Sequence, residues 1–449
     1  MKQKDRKKHL SSFQIIIFGF LFVILLGSVL LMLPISTKTR EWTPFLDAIF
    51  TATSSVCVTG LVIYDTATYW SVFGQSILLI LIQIGGMGVV TIAVLIAVIS
   101  GKKIGLMQRS TMQEAISAPH VGGIVRLTTF ILKTTFLFEF LGAAVMAPVF
   151  CKEFGFGKGM LYAIFHSISA FCNAGFDLMG TKAQFSSLTD YTADPMINMT
   201  IMLLIIIGGI GFLTWEDGKT NGIHLKKYRM QSKVILLVTA ILILLPALYF
   251  YFFEFANSKW DHMTTGEKVL GALFQAVTPR TAGFNTVDLT AFSQSGLMIM
   301  ILLMLIGGSP GSTAGGMKTT TISVLIASAL AVFRREEDAC LFGRRVADGA
   351  IKNASTILMM YLVLFLGGSI IISGVENIPI LISMFEAASA IGTVGLTLGM
   401  TPGLGIISKI ILIMLMFFGR VGGLTLIFAA ISGTRRKGSR LPQEKITVG

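Results

Sequence analysis

The sequence predicts an all-α polytopic membrane protein, with eight spans and four re-entrant helices forming four concatenated repeats around a central pore. Three observations carry this. Hydrophobic residues fill 53% of the 449 positions and charged residues 13%, with a mean hydropathy of +0.78, more apolar material than a soluble core uses. Apolar stretches long enough for ~30 Å of hydrocarbon, about 20 helical residues, recur along the whole length. Four segments also align with one another at a near-constant period, and a repeat of that kind fixes architecture. The apolar runs are continuous, which excludes the alternating strands of a β-barrel.

In chain order the spans fall at 11–33, 69–99, 124–150, 195–214, 233–253, 296–333, 352–374 and 403–432. The first is long and has no small-residue cleavage site before Pro34, so it reads as a retained helix and not a signal peptide. The net charge is +13, and 24 of the 36 lysines and arginines lie in segments 1–9, 100–126, 214–233, 334–352 and 435–445. These fall on one side if spans alternate, and the positive-inside rule makes that side the cytoplasm. Both termini, 1–10 and 433–449, are then cytoplasmic tails of a multi-pass plasma-membrane protein. The repeats occupy 11–110, 111–225, 226–340 and 341–432. Basic charge scattered over short loops excludes a nucleic-acid partner and leaves membrane lipid as the surrounding phase. The cysteines, Cys57, Cys151, Cys172 and Cys340, show neither metal-ligand spacing nor a disulfide pattern.

The aligned segments are FTATSSVCVTGLV (50–62), FHSISAFCNAGFD (165–177), FQAVTPRTAGFNT (274–286) and FEAASAIGTVGLT (385–397). Each opens on Phe at the end of a short helical pattern and reaches a glycine followed by Leu or Phe. Those glycines are Gly60, Gly175, Gly283 and Gly395, spaced by 115, 108 and 112 residues. Each lies between two spans, in a segment too short and polar to cross the bilayer. A half-crossing leaves non-helical backbone at membrane depth, which is tolerated only inside protein or beside an aqueous cavity, and four copies around one axis supply that cavity.

Glycine lets a carbonyl turn inward, so a ring of such loops can replace a cation's hydration shell. The short helix before each loop aims its negative C-terminal end the same way. Asp47 and Glu386 lie in the short helices, but the matching positions form no carboxylate ring of the kind a divalent ion would call for. A weakly hydrated monovalent cation, potassium above all, is the expected cargo. No other metal and no cofactor is expected in this chain, and it does not read as an enzyme.

The strings CVTGL, CNAGF, RTAGF and GTVGL resemble degenerate relatives of the potassium-channel filter. Four such repeats in one chain, from about 11 to 432, are similar to the Trk/Ktr/HKT potassium transporters, and most of all to the membrane subunits of Ktr-type systems. The resemblance implies a filter made by Val58, Thr59 and Gly60, Asn173, Ala174 and Gly175, Thr281, Ala282 and Gly283, and Thr393, Val394 and Gly395. It implies potassium selectivity from four glycines, where serine in the first repeat would imply sodium transport. The second glycine of the full channel loop is replaced by Val62, Asp177, Asn285 and Thr397, so a shorter filter is expected. The resemblance further implies a homodimer docked on a cytosolic ring of RCK-type subunits. Any regulatory nucleotide would sit on that partner. It also implies a possible sodium dependence, hence symport. No soluble domain interrupts the chain, so uptake is expected to run on the membrane potential, about 2.3 kcal/mol per charge per 100 mV.

The sixth span is interrupted by Gly307, Gly308, Ser309, Pro310, Gly311, Ser312, Thr313, Ala314, Gly315 and Gly316, followed two residues on by Lys318. A wholly helical 296–333 would be about 57 Å long, and Pro310 with the glycines breaks it. Freed backbone must face water, so the break belongs beside the pore, and in the resembled family this element is an intramembrane gating loop. Matching glycine pairs, Gly85–Gly86, Gly208–Gly209 and, more loosely, Gly419 with Gly422–Gly423, mark the other second spans, which are expected to continue as helix. Arg420, flanked by apolar residues, is a candidate barrier charge and loop partner, since ionisable groups at this depth default to function. Glu139 reads as a packing hydrogen-bond partner. Two alternatives remain: a channel or transporter for another monovalent cation such as sodium, and an intramembrane serine protease built on Gly307-x-Ser309-x-Gly311 with His166 as base. A phosphate-binding loop is excluded because Met317 separates Gly316 from Lys318.

Overall fold

A computed structural model describes residues 11–93, 105–116, 122–423, 425, 442 and 444. The basic segment 1–10, positions 94–99 of the second expected span, 426–432 of the eighth and nearly all of 433–449 lie outside the described residues. The chain is mostly helical. In order, the fully described α-helices of ten or more residues are α1 (Ser12–Met32), α2 (Phe45–Val56), α3 (Val72–Met87), α4 (Leu106–Ile116), α5 (Ile124–Phe154), α6 (Phe156–Phe171), α7 (Pro195–Gly209), α8 (Phe212–Asn221), α9 (Met230–Tyr249), α10 (Thr265–Val277), α11 (Gln294–Leu305), α12 (Thr319–Phe333), α13 (Asp348–Glu376), α14 (Ile380–Gly392) and α15 (Ile406–Val421). A two-stranded hairpin pairs Cys340–Leu341 with Arg344–Arg345.

Among the described residues, four helices are long and apolar enough to cross a membrane: α1, α5, α13, and α9 with its π-helical continuation to Glu254. Their outward faces carry Phe22, Phe140, Phe253 and Ile370 exposed, as a lipid-facing surface requires. Helix starts follow local chemistry. Ser11 and Gln14 form a reciprocal capping box on α1, as do Thr264 and Glu267 on α10, each pair satisfying two otherwise orphaned N–H groups. The carboxylate of Glu376 reaches from the end of α13 to the Gly405 N–H at 2.9 Å and caps α15.

The element order cycles through a long helix, a short helix, a glycine loop and an interrupted helix. Each long helix packs on the short one that follows it, α1 on α2, α5 on α6, α9 on α10 and α13 on α14. Contacts between successive units run from interrupted helix to short helix: α3 on α6, α7 on α10, α11 on α14, and α15 back on α2. That last contact closes the circle. An ion pair joins it across the seam, Lys409 Nζ to Asp47 Oδ1 at 2.8 Å.

One expectation needs correction. The second, fourth and eighth spans, read as uninterrupted, are broken at a single glycine, after which helix resumes. α3 stops at Gly88 (φ 86°, ψ 136°), α15 at Gly422 (φ 85°, ψ 133°), and α7 turns by 95° into α8 through Gly211 (φ 90°, ψ 143°). All three glycines stand three residues after Gly85, Gly419 and Gly208, and their shared backbone course is strained for residues with a Cβ.

Candidate selectivity filter and gate

The four aligned segments take one local course. Each begins in a short helix whose leading aromatic, Phe50, Phe165, Phe274 or Phe385, is buried. Each then leaves the helix through a left-handed residue two positions before the glycine: Val58 (φ 50°), Asn173 (φ 57°), Thr281 (φ 65°) and Thr393 (φ 51°). The glycines follow at φ 92°, 70°, 82° and 94°, while Thr59, Ala174, Ala282 and Val394 between them are not left-handed. Alternation of this kind turns successive carbonyls to one side. Left-handed Val or Thr is a rare, strained conformation, and its recurrence at three equivalent sites points to function.

The glycines meet in a ring. A Cβ built on any of them would lie within 2.7 Å of the carbonyl oxygen one residue before the next glycine: Ala174 beside Gly60, Ala282 beside Gly175, Val394 beside Gly283 and Thr59 beside Gly395. Four carbonyls and four bare Cα atoms thus enclose one axis, and no side chain fits between them. The buried hydroxyls of Thr59 and Thr393 have no hydrogen-bond partner among the described residues. Neutral oxygens with free lone pairs around a closed ring are the donor set for a dehydrated monovalent cation. The carboxylates nearby are otherwise engaged: Asp47 by Lys409 and Tyr64, Glu386 by Thr397 and Thr401.

Sequence reasoning missed what holds the ring. A hydroxyl residue stands four positions after each Phe: Ser54, Ser169, Thr278 and Ser389. Its carbonyl accepts the N–H of the residue before the glycine, at 2.8, 2.8, 3.0 and 2.8 Å. The side chains of Ser54 and Ser389 accept the Gly60 and Gly395 N–H groups, and those of Ser169 and Thr278 donate to the carbonyls of Phe176 and Phe284. The shared spacing from Phe was the available signal.

The break in the sixth span is an ordered loop between α11 and α12. Its ends pair through Gly307 N–H and the Met317 carbonyl at 2.8 Å. Its middle is bound to other units: Ser309 and Thr313 donate N–H bonds to the carbonyls of Gly209 and Gly208, at 3.0 and 3.2 Å, and Gly316 to that of Gly419 at 3.1 Å. Arg420 crosses from α15 to donate to the Thr313 carbonyl and to those of Gly85 and Gly86. One guanidinium thereby ties the loop to the end of α3. Lys318 bonds within the loop, to Ala314 at 2.8 Å and Gly315 at 3.3 Å. A cavity of about 280 Å³ borders the loop, lined also by Met87, Tyr361 and Arg420 and by none of the ring residues.

The interrupted helices reach the filter through their first glycines. A Cβ on Gly85, Gly208 or Gly419 would overlap the carbonyl of Val56, Phe171 or Ile391 at the C-terminal end of a short helix. In the third unit Gly307 instead packs against Gly315 and Gly316 of the loop. Glu139 accepts from Gln83 at 2.9 Å, the packing role expected of it. The protease arrangement is not assembled. The Ser309 hydroxyl lies 3.2 Å from that of Thr319, while His166 uses Nδ1 on the Tyr162 carbonyl and Nε2 on the Leu178 N–H.

Comparisons with known proteins show the family and the overall fold. The family profile described as TrkH, cation transport protein, matches residues 2–436. The potassium/sodium uptake protein NtpJ of Enterococcus hirae is 40% identical, over 100% of this chain and 99% of its own. The Ktr system potassium uptake protein B of Bacillus subtilis is 38% identical over 97% and 96%, and that of Vibrio alginolyticus 35% over 92% and 90%. The crystal structure of the potassium transporter TrkH from Vibrio parahaemolyticus superposes with a TM-score of 0.73, at 20% identity, over 95% of this chain and 86% of that one. The chain is therefore a multi-pass membrane protein that belongs to the TrkH family of cation transport proteins.

Proposed function

We propose that this chain is the ion-translocating subunit of a Ktr-type potassium uptake system. Its eight spans and four re-entrant helices surround one pore, with both termini in the cytoplasm. The observation that carries the reading is the closed ring of Gly60, Gly175, Gly283 and Gly395, with four inward-turned carbonyls and no fixed charge. A potassium ion entering from outside exchanges its water for these oxygens, favoured by the C-terminal ends of α2, α6, α10 and α14. It then meets the loop 307–316 and the guanidinium of Arg420. Arg420 acts as an electrostatic barrier in the cation path and as the latch that keeps the loop across it. Displacement of the loop opens the way inward, and the membrane potential drives the ion.

The names of the similar Ktr proteins denote systems, which supports further subunits. Docking of a homodimer on a cytosolic RCK-type nucleotide-binding ring is the arrangement that fits. A second reading, sodium as a carried or coupled ion, is favoured by the name of the Enterococcus relative, a potassium/sodium uptake protein. Potassium and sodium flux into proteoliposomes, for this protein and Gly60→Ser, separates the two. Potassium preference that weakens in the variant supports the four-carbonyl filter. Unchanged selectivity and flux would remove Gly60 from the filter and the reading with it.

A further inference from the structure

Among the described residues, one hydrogen-bonded side-chain link joins the loop to the filter. The Thr313 hydroxyl, wholly buried, lies 3.0 Å from Asn173 Oδ1 and 3.1 Å from the Phe171 carbonyl. The amide of Asn173 donates in the other direction, to the Arg280 carbonyl and the Thr281 hydroxyl, both at 3.3 Å. A chain thus runs from the loop through the second filter segment into the third. Asn173 and Thr281 are the left-handed residues of their segments, so the chain grips the two backbones where their carbonyl directions are set. The first and fourth segments have no counterpart. Val58 carries no donor, and the hydroxyl of Thr393, which faces Gly315, has no partner.

Thr313 is also the residue that Arg420 holds by its carbonyl, and its N–H is bound to Gly208. Movement of the loop therefore removes Thr313 from Asn173 and leaves the Asn173 oxygen buried without its loop donor. A buried acceptor in that state is unfavourable enough to turn the side chain toward another partner, and the amide cannot turn without releasing Thr281.

We propose that Thr313 determines selectivity as well as gating: its hydroxyl positions Asn173, and through it the second and third filter segments, in the potassium-selective geometry. This rests on the pore reading above. Loop release then changes the filter and not the flux alone.

The test compares potassium and sodium uptake into proteoliposomes for the wild type, Thr313→Val, Thr313→Ser and Gly60→Ser. Thr313→Val is expected to lower the potassium-to-sodium ratio about three- to tenfold, the range that loss of one buried hydrogen bond supports, and Thr313→Ser to keep it. A Thr313→Val variant that passes more of both ions at the wild-type ratio, while Gly60→Ser lowers that ratio, overturns the proposal and leaves the pore reading intact. If Gly60→Ser also leaves the ratio unchanged, the pore reading fails first and takes the proposal with it. Protection against thermal unfolding by potassium relative to sodium, measured in detergent on Thr313→Ala and Thr313→Ser, decides the matter should Thr313→Val not fold. Lost preference in Ala with retention in Ser supports the proposal, and equal preference in both overturns it.

Discussion

The ring and the loop are built on opposite plans. In the ring each unit contributes the same parts: a buried Phe, a hydroxyl brace four residues on, a left-handed residue and a glycine. No unit can be altered without breaking the circle. The loop occurs once. Where the other interrupted helices break at single glycines, Gly88, Gly211 and Gly422, the third opens into a segment bound to its neighbours by backbone hydrogen bonds and one arginine. Under the proposed reading, selectivity rests mainly on repeated covalent geometry and strain, joined to the loop through Thr313 and Asn173. Gating, under the same reading, rests on a few contacts that can be exchanged.

The sharpest way to break this contrast is at the ring. Gly283 has φ 82°, and a Cβ there would overlap the Val394 carbonyl and come within 3.1 Å of the Gly175 Cα. The obstacle is backbone on two sides, so no side chain can yield. Gly283→Ala is expected to cost at least about 4 kcal/mol, the range of severe core lesions, and to lower potassium uptake per folded protein about a hundredfold or more. Initial uptake rates normalised to protein recovered after size exclusion check this, and a variant with near-normal uptake would mean the ring is looser than its carbonyls indicate.

At the loop the sign reverses, because lost contacts should open the path. Arg420→Gln removes the charged donor to Thr313, Gly85 and Gly86. Hydrogen bonds to charged groups contribute about 1.5–3 kcal/mol each, so potassium flux is expected to rise roughly tenfold. Lys318→Met deletes bonds that stay within the loop, and a rise of about threefold is expected from one net hydrogen bond. Flux assays at equal membrane potential rank the two variants. A larger effect for Lys318 would place the latch inside the loop and not between units.

Much of this division was legible in the sequence, and the reasons differ by element. The apolar helices and the four glycines declared themselves through hydropathy and period, which depend on burial repeated along the chain. The loop was visible because Pro310 and its glycines interrupt an apolar run. The breaks at Gly88, Gly211 and Gly422 were hidden, since a single glycine in a long apolar window changes the average little and glycine pairs suit helix packing equally well. The seam between Lys409 and Asp47 joins residues 362 positions apart. Arg420's acceptors are backbone carbonyls, which carry no sequence identity at all.

The smallest effect separates the two uses of glycine in the interrupted helices. At Gly88 a Cβ would meet nothing nearer than the Thr91 hydroxyl at 3.9 Å, so the objection to a side chain is φ 86° alone. Backbone strain of that kind costs about 1–3 kcal/mol. Three residues earlier, a Cβ on Gly85 would overlap the Val56 carbonyl, directly below the first filter segment. Gly88→Ala is therefore expected to fold with a modestly lower melting temperature and with uptake within about twofold of wild type. Gly85→Ala should lose both stability and potassium preference, because the short helix that aims the filter has to move. Melting curves and ion selectivity on the pair decide it. If Gly85→Ala melts no lower than Gly88→Ala and keeps its selectivity, close helix approach is not what holds the ring in register, and the hydroxyl braces must do so alone.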